Sequence, residues 1–139
     1  MKKVALLLGF AFITLTMNAQ ETSGATVTVT IENVLSDGGT ILAGLHTADT
    51  FMKGMGVANT AAPAAEGKVI LTFENVTPGT YAIMVMHDKN DNKQMDMDAS
   101  GMPLESYGTT GEMNMYGPPS FDSSKFEFTG ENQEFTIRF

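Results

Sequence analysis

The feature that most constrains the fold is residues 25–34, ATVTVTIENV, where apolar and polar side chains alternate. Val27, Val29 and Ile31 share one face and the threonines between them occupy the other, which is the period of a β-strand with one buried face. A helix would instead require apolar residues three and four positions apart. The chain is therefore predicted to build a sheet that buries one of its sides.

Further alternating segments predict how the sheet continues. Residues 40–47, TILAGLHT, follow the turn-forming run SDGG, so the first two strands are predicted to form a hairpin. Residues 68–87 predict a strand through Phe73 and a tight reversal at Pro78-Gly79. The strand after this reversal is apolar on both faces, which is typical of a central strand. Two Phe-rich segments, KFEFT and EFTIRF, follow near the end of the sequence.

The predicted fold class is all-β, an antiparallel β-sandwich of about seven strands, Ig-like or transthyretin-like, with no predicted helix. Residues 48–67 lose the alternation and are predicted to form a connection with at most one helical turn around Phe51. Residues 88–123 are predicted to form one long irregular loop. Three aromatic residues of that loop are expected to pack it onto the sandwich: Tyr107, Tyr116 and Phe121.

The N-terminal residues predict export. Lys2 and Lys3, an apolar run of about a dozen residues and the small Ala19 are typical of a secretory signal peptide, assigned to residues 1–20. The run is too short to anchor the mature chain, for which no membrane insertion is predicted. Cleavage near residues 19–21 would leave residues 21–139 as a single β-sandwich domain, located in the periplasm or outside the cell.

Composition and charge narrow the choice of partners. The 139 residues include no cysteine, so no disulfide framework is predicted. The formal net charge is −8, and without Lys2 and Lys3 only 6 of the 8 basic residues remain against 16 acidic ones. A nucleic-acid partner is excluded because phosphate recognition needs a basic surface, whereas cations are favoured.

The run HDKNDNKQMDMD carries the candidate site. Counted from Asp88, side chains with oxygen ligands stand at positions 1, 3, 5, 9 and 11, the spacing of the first part of an EF-hand-type calcium loop. The candidate metal ligands are Asp88, Asn90, Asn92, Asp96 and Asp98. Lys93 stands where the calcium loop has glycine, and Ala99 stands where a bidentate acid belongs. Asp98 or Glu105 would have to supply that missing ligand.

A solvated loop, whose Asp and Asn side chains cap their own turns, is the alternative interpretation of this run. A copper-binding protein is a second alternative, because Met-x-Met pairs at 84/86, 95/97 and 113/115, the first beside His87, offer the soft ligands of Cu(I). Such methionines also simply fill cores.

A hydrolase is a third alternative. It would use His46 or His87 as a base and Ser106 or Ser120 as a nucleophile, although the sequence contains no nucleophile motif. His46 alternates away from the predicted core face and is expected to be exposed.

Three motifs in order carry a resemblance over nearly all of the mature chain: FENVTPGTYAIMVMHDKNDNKQMD, GMPLESYG and YGPPSFDSSKF. They resemble a family of small secreted bacterial proteins known as domain of unknown function 2141. The pattern F-x-N-V-x-P-G-T-Y is also similar to the hairpin of transthyretin-like, or prealbumin-like, sandwiches. The resemblance implies an exported β-sandwich and no particular activity.

The expected function is that of an exported, non-catalytic binding or structural module. Calcium is the expected cofactor, since it would fix the long loop as a platform. The expected partner of that platform is a glycan or an envelope protein.

Overall fold

The computed structural model describes residues 24–114 and 116–139. Within them, strands β1 to β8 span Ala25–Val34, Thr40–His46, Ala58–Pro63, Gly67–Val76, Gly79–Asp88, Tyr107–Thr109, Phe126–Phe128 and Gln133–Arg138, and helix α1 spans Phe121–Ser124. The predicted signal peptide, residues 1–20, lies outside the described residues. No helix of the described part is long and apolar enough to span a membrane.

The strands form two sheets with a shared core. A three-stranded sheet has the order β4-β1-β8, and a five-stranded sheet has the order β3-β2-β5-β6, with β7 also paired to β5. The pairs are antiparallel except for β1 with β8, which run parallel. The predicted all-β sandwich is confirmed, with eight strands in the described residues instead of about seven.

The core follows the alternation of the sequence. Val29 and Ile31 of β1 are fully buried from one sheet, as are Ile41 of β2 and Ile83 of β5 from the other. Burial of one such aliphatic side chain contributes roughly 1.5–3 kcal/mol relative to exposure. The faces predicted for β1 and β2 are therefore the faces that hold the sandwich together.

Two β-bulges shape the ends of the β1–β4 pair. One inserts Asn33 into β1 and the other lies at Asn75 in β4, and each shifts the register between the strands. Both asparagines have positive φ, 61° and 54°, which asparagine tolerates better than most residues. The first bulge turns Val34 into the core, where a regular strand would point it outward. Asn33 Nδ2 also donates to the Phe139 carbonyl at 2.7 Å, which ties the last residue to β1.

The same local sequence contains each bulge and leads into each of the two crossings from the three-stranded sheet to the five-stranded sheet. Residues 31–40, IENVLSDGGT, and 73–80, FENVTPGT, share an apolar-Glu-Asn-Val run and a later Gly-Thr. In each case the chain leaves the three-stranded sheet and enters the five-stranded one. The predicted β1–β2 hairpin is therefore wrong, and so is a transthyretin-like hairpin at Pro78-Gly79. Turn residues indicate that the chain reverses, but long-range packing decides which sheet receives the next strand.

Strand β3 lies inside the segment predicted to be an irregular connection, so that prediction is wrong for Ala58–Pro63. Its residues are mostly small, with low β-propensity, and only alternate ones are partly buried. The strand exists because its backbone pairs with β2 at the edge of the sheet. Proline at its end is compatible with an edge strand.

Strand β5 is the central strand that the sequence predicted. β2 pairs along one edge, and the short strands β6 and β7 share the other. Thr110, the residue after β6, continues the hydrogen bonding to β5. Its amide donates to the Ile83 carbonyl at 3.0 Å, and its hydroxyl accepts from the Ile83 amide at 3.0 Å. The same hydroxyl donates to the Ser124 carbonyl at 2.7 Å. The second edge of β5 therefore stays hydrogen-bonded where β6 ends.

The predicted long loop, residues 88–123, is interrupted by β6 and by the first turn of α1. Phe121 packs edge-on against Phe51 with ring centroids 5.8 Å apart, as expected of an anchoring residue. Tyr107 is half-buried. Tyr116 is 97% exposed, so the expectation that it pins the loop to the sandwich is wrong.

Replacement of Asn75 tests the bulge. Asn75→Val should lower the free energy of unfolding by roughly 1–3 kcal/mol, because a β-branched residue is strained at positive φ. Glu74→Val is the matched control at an exposed neighbour outside the positive-φ positions. Urea denaturation of both variants measures the difference, and equal losses would contradict the role assigned to φ at this position.

Candidate functional site

The end of β5 positions the candidate site, which we call the acidic loop and define as residues 88–106. His87 pairs across the sheet with Ile41 and faces the core, so Asp88 faces the opposite side. The Gly39 backbone, with φ of 79°, lies against the Asp88 carbonyl so closely that a Cβ would clash. Asp91 connects the loop to the start of β2, because the Thr40 hydroxyl donates to the Asp91 carboxylate at 2.6 Å.

The buried side chain of Asp88 orders the first turn of the acidic loop. Its carboxylate is only 1% exposed and accepts from two backbone amides, that of Asn92 at 3.2 Å and that of Lys93 at 2.8 Å. A buried carboxylate that accepts backbone hydrogen bonds orders the segment it caps. The residue at the predicted position 1 of the loop is thus a structural anchor, and its role as a metal ligand stays a prediction.

Two further predicted ligands, Asn90 and Asn92, are hydrogen-bonded to a third, Asp96. Its two carboxylate oxygens accept from Asn90 Nδ2 at 2.6 Å and from Asn92 Nδ2 at 2.8 Å. The amide oxygen of Asn90 accepts from the Asn92 backbone at 3.2 Å, and that of Asn92 accepts from Gln94 at 2.9 Å. The structure therefore brings Asp96, Asn90 and Asn92 together through hydrogen bonds.

Glu105 joins this group from the far end of the loop. It is 6% exposed, and its two carboxylate oxygens accept from the amides of Lys89 at 2.9 Å and of Asp96 at 3.2 Å. The sequence predicts Glu105 as one possible source of the missing acid, and the fold places Glu105 beside the segment that holds the other predicted ligands. It links the start of the loop to its middle.

Asp98 lies in a separate turn. Its carboxylate accepts from the Ser100 hydroxyl at 2.6 Å and from the amides of Ser100 and Met102 at 2.8 Å and 2.9 Å. These hydrogen bonds, that of the Ser100 hydroxyl first, hold the pKa of Asp98 below its ordinary value. Within residues 24–114 and 116–139, Asp98 shares no hydrogen-bond partner with the other four predicted ligands.

The electrostatics of the acidic loop are unbalanced. The ion pairs of the described residues are Lys125 with Asp122 and Arg138 with Glu32, so the buried Asp88 and Glu105 have no basic side chain within ion-pair distance. Burial of a charge without a counter-charge is costly, even when backbone amides satisfy it. Among these residues, no three Asp, Glu or His side chains converge as a metal site would require, so a cation would also need amide or carbonyl oxygens.

Position 6 of the loop, where the sequence departs from the calcium pattern, adopts the backbone conformation that the pattern demands. Lys93 has a φ of 60°, in the left-handed region that glycine occupies most easily. Asp91 has a φ of 56°, so two non-glycine residues of the loop are left-handed. The sharp turn is thus present although its usual glycine is not.

The structure does not assemble the copper ligands that include His87. His87 is fully buried in the core, donates from Nε2 to the Gly38 carbonyl at 2.6 Å, and stacks on Phe139 at 6.5 Å. Met84 and Met86 alternate onto the opposite face of β5. Met115, one member of the third methionine pair, lies outside the described residues. Copper binding by the methionines alone stays a prediction.

His46 is buried, so the expectation of an exposed histidine is wrong. The β2 face opposite the core is covered locally, because Phe51 packs edge-on against the His46 ring at 6.0 Å. Nδ1 donates to the Thr50 carbonyl at 3.2 Å. Burial lowers the pKa of His46, and the Thr50 bond opposes this only in part. Among the described residues, neither imidazole ring forms a hydrogen bond with the hydroxyl of Ser106 or Ser120, the proposed nucleophiles. His87 bonds to Ser106 through the backbone alone, its amide donating to the Ser106 carbonyl at 2.8 Å.

A family comparison covers nearly the whole described sandwich. The family model described as "Uncharacterized protein conserved in bacteria (DUF2141)" matches residues 29–136. The chain belongs to this family. The match runs from β1 to β8 and includes the entire acidic loop, which confirms the resemblance predicted from the three motifs. No curated protein and no solved structure gives a significant match to this DUF2141 chain.

Replacement of Lys93 tests the turn of the DUF2141 chain. Lys93→Gly should raise the free energy of unfolding by roughly 0.5–1 kcal/mol, because glycine adopts positive φ without the cost that a Cβ imposes. Lys89→Gly, which removes the same charge at a position without positive φ, is the control and should destabilise. Urea denaturation measures both, and a loss of stability in Lys93→Gly would contradict the assignment.

The pH dependence of stability tests the environment of His46. The folded protein holds this group neutral below its ordinary pKa of about 6.5, where the unfolded chain takes up a proton. Its contribution to stability is therefore present above that pH and is lost as pH falls through it. His46→Gln should weaken the fall in thermal midpoint between about pH 7.5 and 5.5. An unchanged pH profile would contradict this assignment.

Proposed function

We propose that this DUF2141 protein is an exported, non-catalytic binding or structural module whose acidic loop binds Ca²⁺. The observation that carries the proposal is the burial of two carboxylates, Asp88 and Glu105, at the two ends of one loop, with no basic side chain of the described residues within ion-pair distance. A divalent cation would offset this charge in a way that backbone amides alone do not.

The donor set suits calcium. Asp88, Asn90, Asn92 and Asp96 would supply hard oxygens, and Glu105 would replace the acid missing at position 12. The three carboxylates do not converge among the described residues, so the ion would have to draw them together on binding. Each carboxylate oxygen has two lone pairs, so a backbone hydrogen bond leaves capacity for an ion. In the structure both asparagines donate from Nδ2 to Asp96. Half a rotation of each side-chain amide would place its oxygen where its nitrogen now lies, so that the oxygen could bind the ion.

Ion binding would act through linkage to folding. A ligand that binds only the folded loop stabilises the protein by RT ln(1 + [L]/Kd), which is about 2.7 kcal/mol at a hundredfold excess over Kd. The loop has five acidic and two basic residues, so a divalent ion would also reduce its internal repulsion. The calcium-bound loop would form a rigid surface at one end of the sandwich, suited to contact a glycan or an envelope protein.

Non-catalytic function is supported by the positions of the two histidines. Both are buried, and His87 lies in the core with its Nε2 donated to a backbone carbonyl. A general base has to reach the proton of a nucleophile or of a substrate, and neither histidine contacts a serine hydroxyl in the described residues.

A calcium titration of thermal unfolding tests the proposal. Starting from EDTA-treated protein, Ca²⁺ should raise the thermal midpoint in a saturable way, and Mg²⁺ should act more weakly because it demands stricter octahedral geometry. Glu105→Gln and Asp96→Asn should each reduce calcium affinity by about tenfold or more, since each removes one charged ligand. Glu134→Gln, an exposed acid on β8, is the matched control and should respond as the wild type.

Asp98→Asn separates the two possible sources of the missing ligand. A wild-type calcium response in Asp98→Asn, combined with a lost response in Glu105→Gln, would assign the ligand to Glu105. A midpoint that no cation moves, or an Asp96→Asn response equal to that of Glu134→Gln, would contradict calcium binding at this loop.

A further inference from the structure

Large apolar side chains are exposed within the acidic loop. Met97, Met102 and Leu104 are 53%, 63% and 60% exposed. Met97 pairs with Pro103 in an antiparallel bridge, so residues 96–104 form a small two-stranded hairpin. We call this segment the apolar hairpin. Clusters of exposed apolar side chains on soluble proteins commonly mark interaction sites.

The apolar hairpin is ordered by its own hydrogen bonds. The Asp98 amide donates to the Met102 carbonyl at 2.9 Å, and the Leu104 amide donates to the Asp96 carbonyl at 2.8 Å. The Asp98 carboxylate accepts three further bonds at the tip. An ordered backbone binds a partner at a lower cost in conformational entropy than a disordered loop does. The apolar side chains are therefore presented on a preformed frame.

Acidic side chains flank the apolar ones on this frame. Residues opposite each other in a hairpin share a face, so Asp98 lies beside Met102 and Asp96 lies beside Leu104. The face thus combines apolar and negatively charged groups, which complements a surface that combines apolar and positively charged groups.

We infer that the face of the apolar hairpin formed by Met102 and Leu104, flanked by Asp98 and Asp96, docks a basic, apolar segment of another protein. The inference deepens the binding role proposed above and rests on that role, but it does not require the ion. Methionine suits such a surface, because its flexible, polarisable side chain adapts to apolar partners.

Charge disfavours the other occupants of this face. An anionic bilayer would be repelled by the acidic loop, and a second copy of this chain, with a formal net charge of −8, would be repelled as well. A basic protein segment is instead attracted over the distance set by ionic screening. Its apolar side chains then replace water on Met102 and Leu104.

A peptide-binding measurement tests the inference. The probe is a synthetic amphipathic peptide of Lys and Leu, and a peptide of the same pattern with Glu in place of Lys is the charge control. The variant Met97→Ser/Met102→Ser/Leu104→Ser removes the apolar side chains and keeps every charge. The matched control Met52→Ser/Met55→Ser/Val57→Ser removes three exposed apolar side chains from the connection after β2, at the other end of that strand.

The expected result is that the hairpin variant binds the Lys-Leu peptide at least about tenfold more weakly than the wild type, while the matched control binds within about twofold of it. Because all six replaced residues are exposed, both variants should keep the wild-type thermal midpoint. Equal peptide affinity in the two variants, or equal binding of the Glu-Leu peptide, would overturn the inference. Hairpin-dependent binding to phosphatidylcholine vesicles, with or without phosphatidylglycerol, would also overturn it in favour of a bilayer.

The same titrations in EDTA and in Ca²⁺ separate this inference from the calcium proposal. Hairpin-dependent peptide binding without any calcium effect on the thermal midpoint would support the docking face and contradict the ion. A saturable calcium effect on the midpoint with hairpin-independent peptide binding would contradict the docking face and support the ion.

Discussion

The alternation of side chains along β5 is the constraint on which the rest of the structure depends. Because Ile83, Val85 and His87 face the core, Asp88 has to face the other way where the strand ends. Hydrogen bonding on both edges holds β5 in the middle of its sheet. The acidic loop therefore starts from a carboxylate whose position is set by the hydrophobic core.

The pairing of acidic side chains differs between this loop and helix α1. At the exposed helix α1, Asp122 has a lysine partner, Lys125, at 2.7 Å. In the acidic loop, Asp88 and Glu105 are buried and have only backbone amides as donors. Amides orient a carboxylate but carry no net charge, so the loop keeps its negative potential. A cation is the simplest species that would complete such an arrangement.

The proposed ion ligands and the proposed docking face are parts of one segment. Asp96 and Glu105 lie at the two ends of the apolar hairpin, and the hydrogen bond from the Asp96 amide to Glu105 closes its base. An ion at these carboxylates would stabilise the base, while Met102 and Leu104 remain exposed for a partner. Stability of the loop and presentation of its apolar face would then share the same side chains.

The sequence by itself determined the β-strands with strong alternation, the faces they bury, and the neighbourhood of Asp88, Asn90, Asn92 and Asp96, since period and spacing are local properties. Only the tertiary structure decided which sheet each strand joins, that the weakly patterned β3 pairs with β2, and that Glu105 returns to the start of its loop. It also decided that Phe51 covers His46, against the expectation of exposure. Apart from the local contact of Phe51 with His46, these outcomes depend on contacts between residues distant in the chain, which a local pattern does not encode.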